Sequence, residues 1–233
     1  MPLGFLVVFS EPGEKVSINE FQDWYNNEHV PLRMNYLSSF LTGARFSAAD
    51  DLKPSWLALY DVDDTSTFEH ESYTRLRANR SPREADLVKR LSVLDRRTCE
   101  FISDSGESSL TTSFASKNPT KAIVTHGVQL SENGGDQDFR AWTQEFFERL
   151  KTVEGWVRTR TYKCIDNLKT GVDVGEKSEE QVVPTYLVLT SISVGDSSRF
   201  QDILHPPNVK IMEVRSWNLY KAYPGIAQEN IES

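Results

Sequence analysis

Between Trp24 and Arg33 the chain reads Trp24-Tyr25-Asn26-Asn27-Glu28-His29-Val30-Pro31-Leu32-Arg33, which brings aromatics, a carboxylate, an imidazole and a guanidinium close together. An imidazole titrates near neutrality and can both take and return a proton, so His29 is the candidate general acid or base. Glu28 can orient that ring or a water. Tyr25, one helical turn earlier, can donate to a carbonyl or carboxylate oxygen. Trp24 offers a flat wall for an aromatic substrate, against the commoner use of a tryptophan in core packing. Arg33 suits an anionic group, with a surface ion pair as the competing role. A structural task also competes for the central pair: Glu28 can pair with Arg33 or Arg97, and His29 can cap the last carbonyls of its helix.

These residues need a helix to hold them. Ser17 and Glu20 have capping-box spacing and Pro31 cannot continue a helix, which predicts a helix over Ile18 to Val30. Ile18, Phe21, Tyr25, Glu28, His29 and Leu32 recur at helical spacing, so a stripe that begins apolar ends in a polar pair where core residues belong.

The helix has a counterpart. Phe21-Gln22-Asp23-Trp24 aligns with Phe139-Arg140-Ala141-Trp142, and the strands Gly4 to Ser10 and Thr125 to Ser131 both end in Ser-Glu or continue into it. A Gly-aromatic-Arg strand follows each time, around Gly43 to Phe46 and Gly155 to Tyr162, and Trp56-Leu57-Ala58-Leu59 answers Tyr186-Leu187-Val188-Leu189. Shorter helices with Phe68 and Phe200 come next, and Arg97 to Phe101 matches Arg215 to Leu219 as a closing strand. The pattern predicts an α+β fold of two ferredoxin-like β-α-β-β-α-β repeats, residues 1–105 and 121–225, joined by a polar linker at 106–120 and followed by a tail at 226–233. Each repeat leaves one face of its antiparallel sheet bare, so the two sheets are expected to pack into a pseudo-dimeric α+β barrel, as a monomer or a homodimer. Two differences stand out. The first repeat gains a helix near 82–93, starting at the capping box Ser81-Pro82-Arg83-Glu84 with proline at its first position, and the second gains a hydrophilic loop at 165–183.

The aligned helices act as an internal control, because Glu28-His29 corresponds to Phe146-Phe147. A helix of this fold tolerates phenylalanine there, so the polar pair has a task specific to the first half.

Composition removes other classes. The 233 residues are 38% hydrophobic and 26% charged, ordinary for a globular protein, and no apolar run approaches the ~20 residues of a membrane span. A net charge of −8 with scattered basic groups argues against nucleic acid as a partner. The Gly4 to Phe9 run lacks a basic flank and a cleavage site, so a cytoplasmic protein is expected. Cys99 and Cys164 lack metal or disulfide-framework spacing and are expected as free thiols. His126 falls on a strand face with Ala122, Val124 and Val128, which suits a core histidine, with service to a second pocket as the alternative. His70 and His205 look like solvent or turn residues. Metal binding by Glu28, His29 and His70 has no supporting i, i+4 histidine pair, so neither metal nor cofactor is expected.

The string from Trp24 to Arg33, together with Arg96-Arg97 before the closing strand, resembles the dimeric α+β barrel superfamily and in particular its EthD-like branch. The resemblance implies the barrel fold first. It also implies chemistry seen among relatives: cofactor-independent decarboxylases, cyclases, lactone isomerases and oxygenases acting on small aromatic or polyketide-like compounds, with haem binding in a few. The leading expectation is a cofactor-independent enzyme of decarboxylase, cyclase or isomerase type, acting by proton transfer on a small hydrophobic or aromatic molecule. His29, Glu28 and Tyr25 would be catalytic, and Trp24, Arg33, Tyr60 and Phe46 would bind substrate. The alternatives are a non-catalytic barrel for a small hydrophobic ligand and a cofactor-free oxygenase.

Overall fold

The computed structural model describes residues 1–131, 134–175, 182–193, 197–200 and 209–231. Eight strands close into one antiparallel barrel in the order β1-β3-β2-β8-β5-β7-β6-β4. They are β1 (Gly4–Glu11), β2 (Phe40–Ala48), β3 (Trp56–Val62), β4 (Val93–Asp104), β5 (Ala122–Leu130), β6 (Trp156–Thr170), β7 (Tyr186–Ile192) and β8 (Val209–Ala222). Each half supplies four neighbouring strands. The halves join by their edges, through β2 with β8 and β4 with β6, so edge hydrogen bonding closes the barrel that the sequence suggested as one sheet covering another.

Strand alternation sorts the side chains into two layers. Phe5, Val7, Phe9, Ala44, Phe46, Leu57 and Leu59 point into the barrel with Trp217 and Leu189. Leu6, Val8, Ala58 and Tyr60 point outward beneath the first-half helices, which explains why β1 is buried along its whole length. In the second half, α5 (Asp136–Leu150) lays Phe139, Phe146 and Phe147 on Val124, Val128 and Val188. Tyr60 is thereby placed on the helix side, and Phe46 on the opposite, interior side.

The polar linker contributes to the interior. Phe114 is buried in the barrel against Phe5 and Phe46, with ring centroids at 6.1 and 5.8 Å. The expected loop at 165–183 begins instead as strand, because β6 runs on to Thr170 in register with Leu94 of β4. Residues 176–181 of that segment lie outside the described residues, as does His205. Cys99 and Cys164 face each other across β4 and β6 as free thiols. Among the described residues no helix is long and apolar enough to cross a membrane.

The first helix departs from its predicted form. It runs as α1 (Ile18–Trp24), widens into a π turn over Tyr25–His29, and restarts as α2 (Pro31–Met34). Val30 donates its amide to the Tyr25 carbonyl at 3.1 Å, the i to i−5 bond of a π turn. Pro31 therefore opens a new short helix rather than ending the old one, a position its fixed φ and missing N–H suit. The additional helix of the first half, expected near 82–93, is shorter and follows the segment of the expected Phe68 helix, where Phe68 ends a 3-10 turn ahead of α3 (Glu71–Ala78); the additional helix itself is α4 (Pro82–Arg90).

Both predicted capping boxes keep only their serine half. Ser17 accepts from the Glu20 amide and Ser81 from the Glu84 amide, at 3.2 and 3.0 Å. The glutamates turn to tertiary partners: Glu20 takes Arg90, and Glu84 takes His29.

Candidate functional site

The π turn aims its side chains at two neighbours, the sheet below and α4 alongside. Toward α4, His29 Nδ1 lies 2.7 Å from Glu84 Oε1, and Glu28 accepts from the Ser81 hydroxyl with Arg83 at 3.8 Å. The polar pair that breaks the helical stripe thus meets α4, which has no counterpart among the described residues of the second half. Neither Arg33 nor Arg97 is the partner of Glu28, and His29 does not cap its helix. Arg33 takes that task by donating Nη1 to the His29 carbonyl at 2.6 Å.

Because a carboxylate can only accept, Glu84 fixes Nδ1–H as the donor and leaves the Nε2 lone pair of a neutral ring available. Among the described residues Nε2 has no protein hydrogen-bond partner. Burial, and then the charge of Arg33, outweigh Glu84 and push the His29 pKa down to about 4. Burial works against the Glu84 carboxylate, yet the His29 hydrogen bond and the charges around it hold its pKa below the ordinary value. At neutral pH the pair is a neutral imidazole on a carboxylate. The expectation of an imidazole titrating near neutrality is corrected accordingly, since at that pH the ring carries no proton on Nε2.

Toward the sheet, four arginines are buried among the described residues: Arg33, Arg45, Arg97 and Arg215. Arg97 holds Asp95 at 2.7 Å and Glu213 at 3.0 Å, and Arg215 holds Asp50 at 2.9 Å. Arg33, 5% exposed, and Arg45, 1% exposed, form no ion pair with any described carboxylate. Arg45 projects from β2 into a cage of rings, 3.9 Å from the Tyr25 centroid and 5.2 Å from those of Phe21, Trp56 and Tyr220. Its Nη1 donates to Gln22 Oε1 at 2.6 Å, while Nη2 has no partner. Trp24 Nε1, Arg33 Nε and the Tyr60 hydroxyl are likewise buried without partners. Desolvating an ion costs several kcal/mol even after relaxation, and a desolvated cation–π contact returns about 2 kcal/mol, so the cage alone does not settle this charge.

Trp24, Tyr25, His29, Arg33 and Tyr60 are therefore gathered in one seam between the first helix and the sheet. The Trp24 and Tyr25 rings stand 4.6 and 5.1 Å from the His29 ring. Burial raises the Tyr25 and Tyr60 pKa values, which keeps both as neutral phenols able to donate. Phe46 is not brought to this group, since its strand position points it into the barrel. Arg45, the central residue, is one position away, and the sequence alone does not single it out, because a β-strand arginine reads as solvent-facing until both faces of the strand are known to be covered. Tyr223 is a second such residue. Its hydroxyl bonds Asn26 Oδ1, and with Asn26, Met34 and Lys221 it walls a groove of about 150 Å³ at the edge of the seam. Gly43 permits this closeness, because a Cβ there would sit 2.8 Å from Met34 Sδ.

Other cavities lack an unsettled charge or lie apart from the motif. The barrel mouth beside Phe9 encloses about 630 Å³, but its Arg97 and Arg215 are already paired. His126 is a core residue whose Nε2 lies 2.9 Å from the Phe200 carbonyl and whose ring meets Phe146. His70 caps α3 by accepting from the Ser72 amide, so Glu28, His29 and His70 do not converge.

No protein-family profile matches the chain, and no curated protein matches it. Solved structures do. An anthrone oxidase-like protein is 10% identical over 100% of this chain and 96% of its own length, with a TM-score of 0.58. A provisionally named monooxygenase from Lactobacillus acidophilus is 10% identical over 96% of this chain and 97% of its own, with a TM-score of 0.53. A provisionally named chlorite dismutase is 10% identical over 95% and 96%, also at 0.53. At such identities the likeness is one of fold, and the shared fold is the closed barrel of the dimeric α+β type. The names carried by these structures are oxidase, monooxygenase and dismutase names. The expectation of decarboxylase, cyclase or isomerase chemistry is overturned by that comparison and is withdrawn.

Proposed function

We propose that this chain is an oxygenase for a small hydroxylated aromatic compound with a carbonyl-activated carbon, and that the substrate's own carbanion or phenolate supplies the electrons to dioxygen. One observation carries the reading: two buried guanidinium groups, Arg33 next to the His29–Glu84 pair and Arg45 over the Tyr25 ring, lack a carboxylate, and a substrate oxyanion is a partner that would settle them. His29, Glu28 and Tyr25 remain the proposed chemical group, with Glu84 and Arg45 added. Trp24, Arg33 and Tyr60 are the proposed binding residues.

The sequence of steps balances on the substrate. His29 Nε2 takes a proton from the activated carbon, with Glu84 holding Nδ1–H, and the charge delocalises onto an oxygen facing Arg45, Arg33 and the Tyr25 hydroxyl. One electron passes from the carbanion to dioxygen, the radical and superoxide combine, and the proton returns from His29 to give a hydroperoxide. Loss of water from that hydroperoxide leaves a ketone. A CH₂ group and one O₂ thus become a C=O group and one H₂O. We also read the two halves as copies of one unit within the EthD-like branch, a reading supported by their matching element order and by the buried Trp24 and Trp142 on equivalent helices.

Dioxygen uptake with an anthrone as test substrate addresses the proposal. Uptake above the spontaneous rate is expected, at one O₂ per quinone formed, and Arg45→Met should lower it by about 10²- to 10³-fold, the loss typical of a removed oxyanion donor. Uptake that never exceeds the spontaneous rate across hydroxylated anthrones, hydroquinones and naphthols, or that is indifferent to Arg45→Met, would sink it.

A further inference from the structure

A second cleft lies one helical turn along α4 from Glu84, lined by none of the seam residues. It encloses about 640 Å³ between α3, α4 and the paired strands β4 and β6, within the range of small-molecule sites. Arg77, Arg80, Lys89 and Arg96 line it, and no carboxylate does. In a chain of net charge −8 this concentration of like charge is anomalous. Only Arg96 is engaged, by the Tyr73 hydroxyl at 3.2 Å and by the exposed Asp166 at 3.3 Å. Arg77, Arg80 and Lys89 form no ion pair within 4.0 Å among the described residues. Partial burial, and then the charge of Arg96, lower the Arg77 pKa, and they outweigh Tyr73 and Asp166, which act the other way.

The rest of the cleft is apolar. Val88 and Leu94 form its floor against the first-half core, and Leu168 and Val172, both more than two-fifths exposed, form its outer wall. Exposed aliphatic side chains beside unpaired guanidinium groups match an amphipathic anion rather than a free inorganic ion or a neutral hydrocarbon.

We infer that this cleft binds a small organic anion, with an apolar body laid on Val88, Leu94, Leu168 and Val172 and a carboxylate or phosphate head held by Arg77, Arg80 and Arg96. Bidentate hydrogen bonding from a guanidinium suits either head group. The inference does not rest on the oxygenase reading, because it uses a different cavity and different residues.

Calorimetric titration of the full chain with 1-naphthyl phosphate tests it, with 1-naphthol and inorganic phosphate titrated in parallel. The naphthyl phosphate should bind at least tenfold more tightly than either fragment, and the double variant R77Q/R80Q, whose melting temperature is checked against the parent, should bind it at least tenfold more weakly. Leu168→Asp, which adds a negative charge at an exposed position, should weaken it as well. Equal affinity for 1-naphthol, undiminished binding in both variants, no binding by the parent, or pelleting with phosphatidylserine vesicles in place of binding naphthyl phosphate would each overturn the inference.

Discussion

Arg45 and Arg33 are expensive residues to bury without carboxylates, and proteins keep such charges chiefly where function uses them. Arg45→Met places an unbranched apolar chain among Phe21, Tyr25, Trp56 and Tyr220, so the melting temperature in the absence of ligand is expected to hold or rise, by about 2–4 °C for each 1 kcal/mol gained. A fall of several degrees would show that the guanidinium is there for structure. His29 makes a separate prediction in pH. Its pKa is about 6.5 in the unfolded chain and about 4 in the fold, so between those values the unfolded chain binds more protons. Its contribution to stability is therefore fully present above about pH 6.5, is lost as pH falls toward 4, and changes no further below that. The difference in stability between the parent and His29→Gln should follow that window, and kcat/KM should decline toward pH 4 instead of breaking near 6.5. Urea midpoints and rates measured from pH 4 to pH 8 would check both.

The π turn and α4 form one device. Glu28 and His29 reach α4 through Ser81 and Glu84, and α4 reaches α1 through Arg90 and Glu20. Glu84→Ala strands the His29 Nδ1–H and is expected to cost about 1–3 kcal/mol, read as a drop in melting temperature. Glu84→Gln still offers an oxygen to Nδ1–H, so it should retain most of the stability while weakening His29 as a base and lowering kcat. Equal loss of stability in both variants would mean that charge, not the hydrogen bond, holds the helix. Local signals explain what was legible here: Ser17, Ser81 and Pro82 place the starts of α1 and α4 in sequence as they stand in the fold. The glutamates of the same motifs were misleading, because a capping box is a local preference and a buried histidine or an arginine on another helix outbids it. The π turn was illegible, since a one-residue widening leaves the apolar spacing almost unchanged.

At the scale of the molecule, closing eight strands within one chain covers both faces of the sheet, inside by the opposite wall and outside by helices. The α+β barrel was legible in the order of strand and helix signals, but the face assignments were not. Alternation says that Leu57 and Tyr60 look opposite ways, and only the closed barrel says which way is in. That is why Phe46 was expected beside Tyr60 and lies across the sheet from it, and why Phe114, in a polar segment, was missed as part of the interior. The same closure buries Arg45, where Tyr220 of β8 and Tyr223 just past its end, both from the second half, border a seam built by the first. The proposed chemistry requires that seam to receive an oxyanion. Absorbance titration with 4-nitrophenol below its own pKa reads this directly, because phenol and phenolate differ in colour. The protein is predicted to draw out the yellow phenolate, and Arg45→Met to abolish the colour. A dye that binds as the colourless phenol, or a colour that persists in Arg45→Met, would contradict the account.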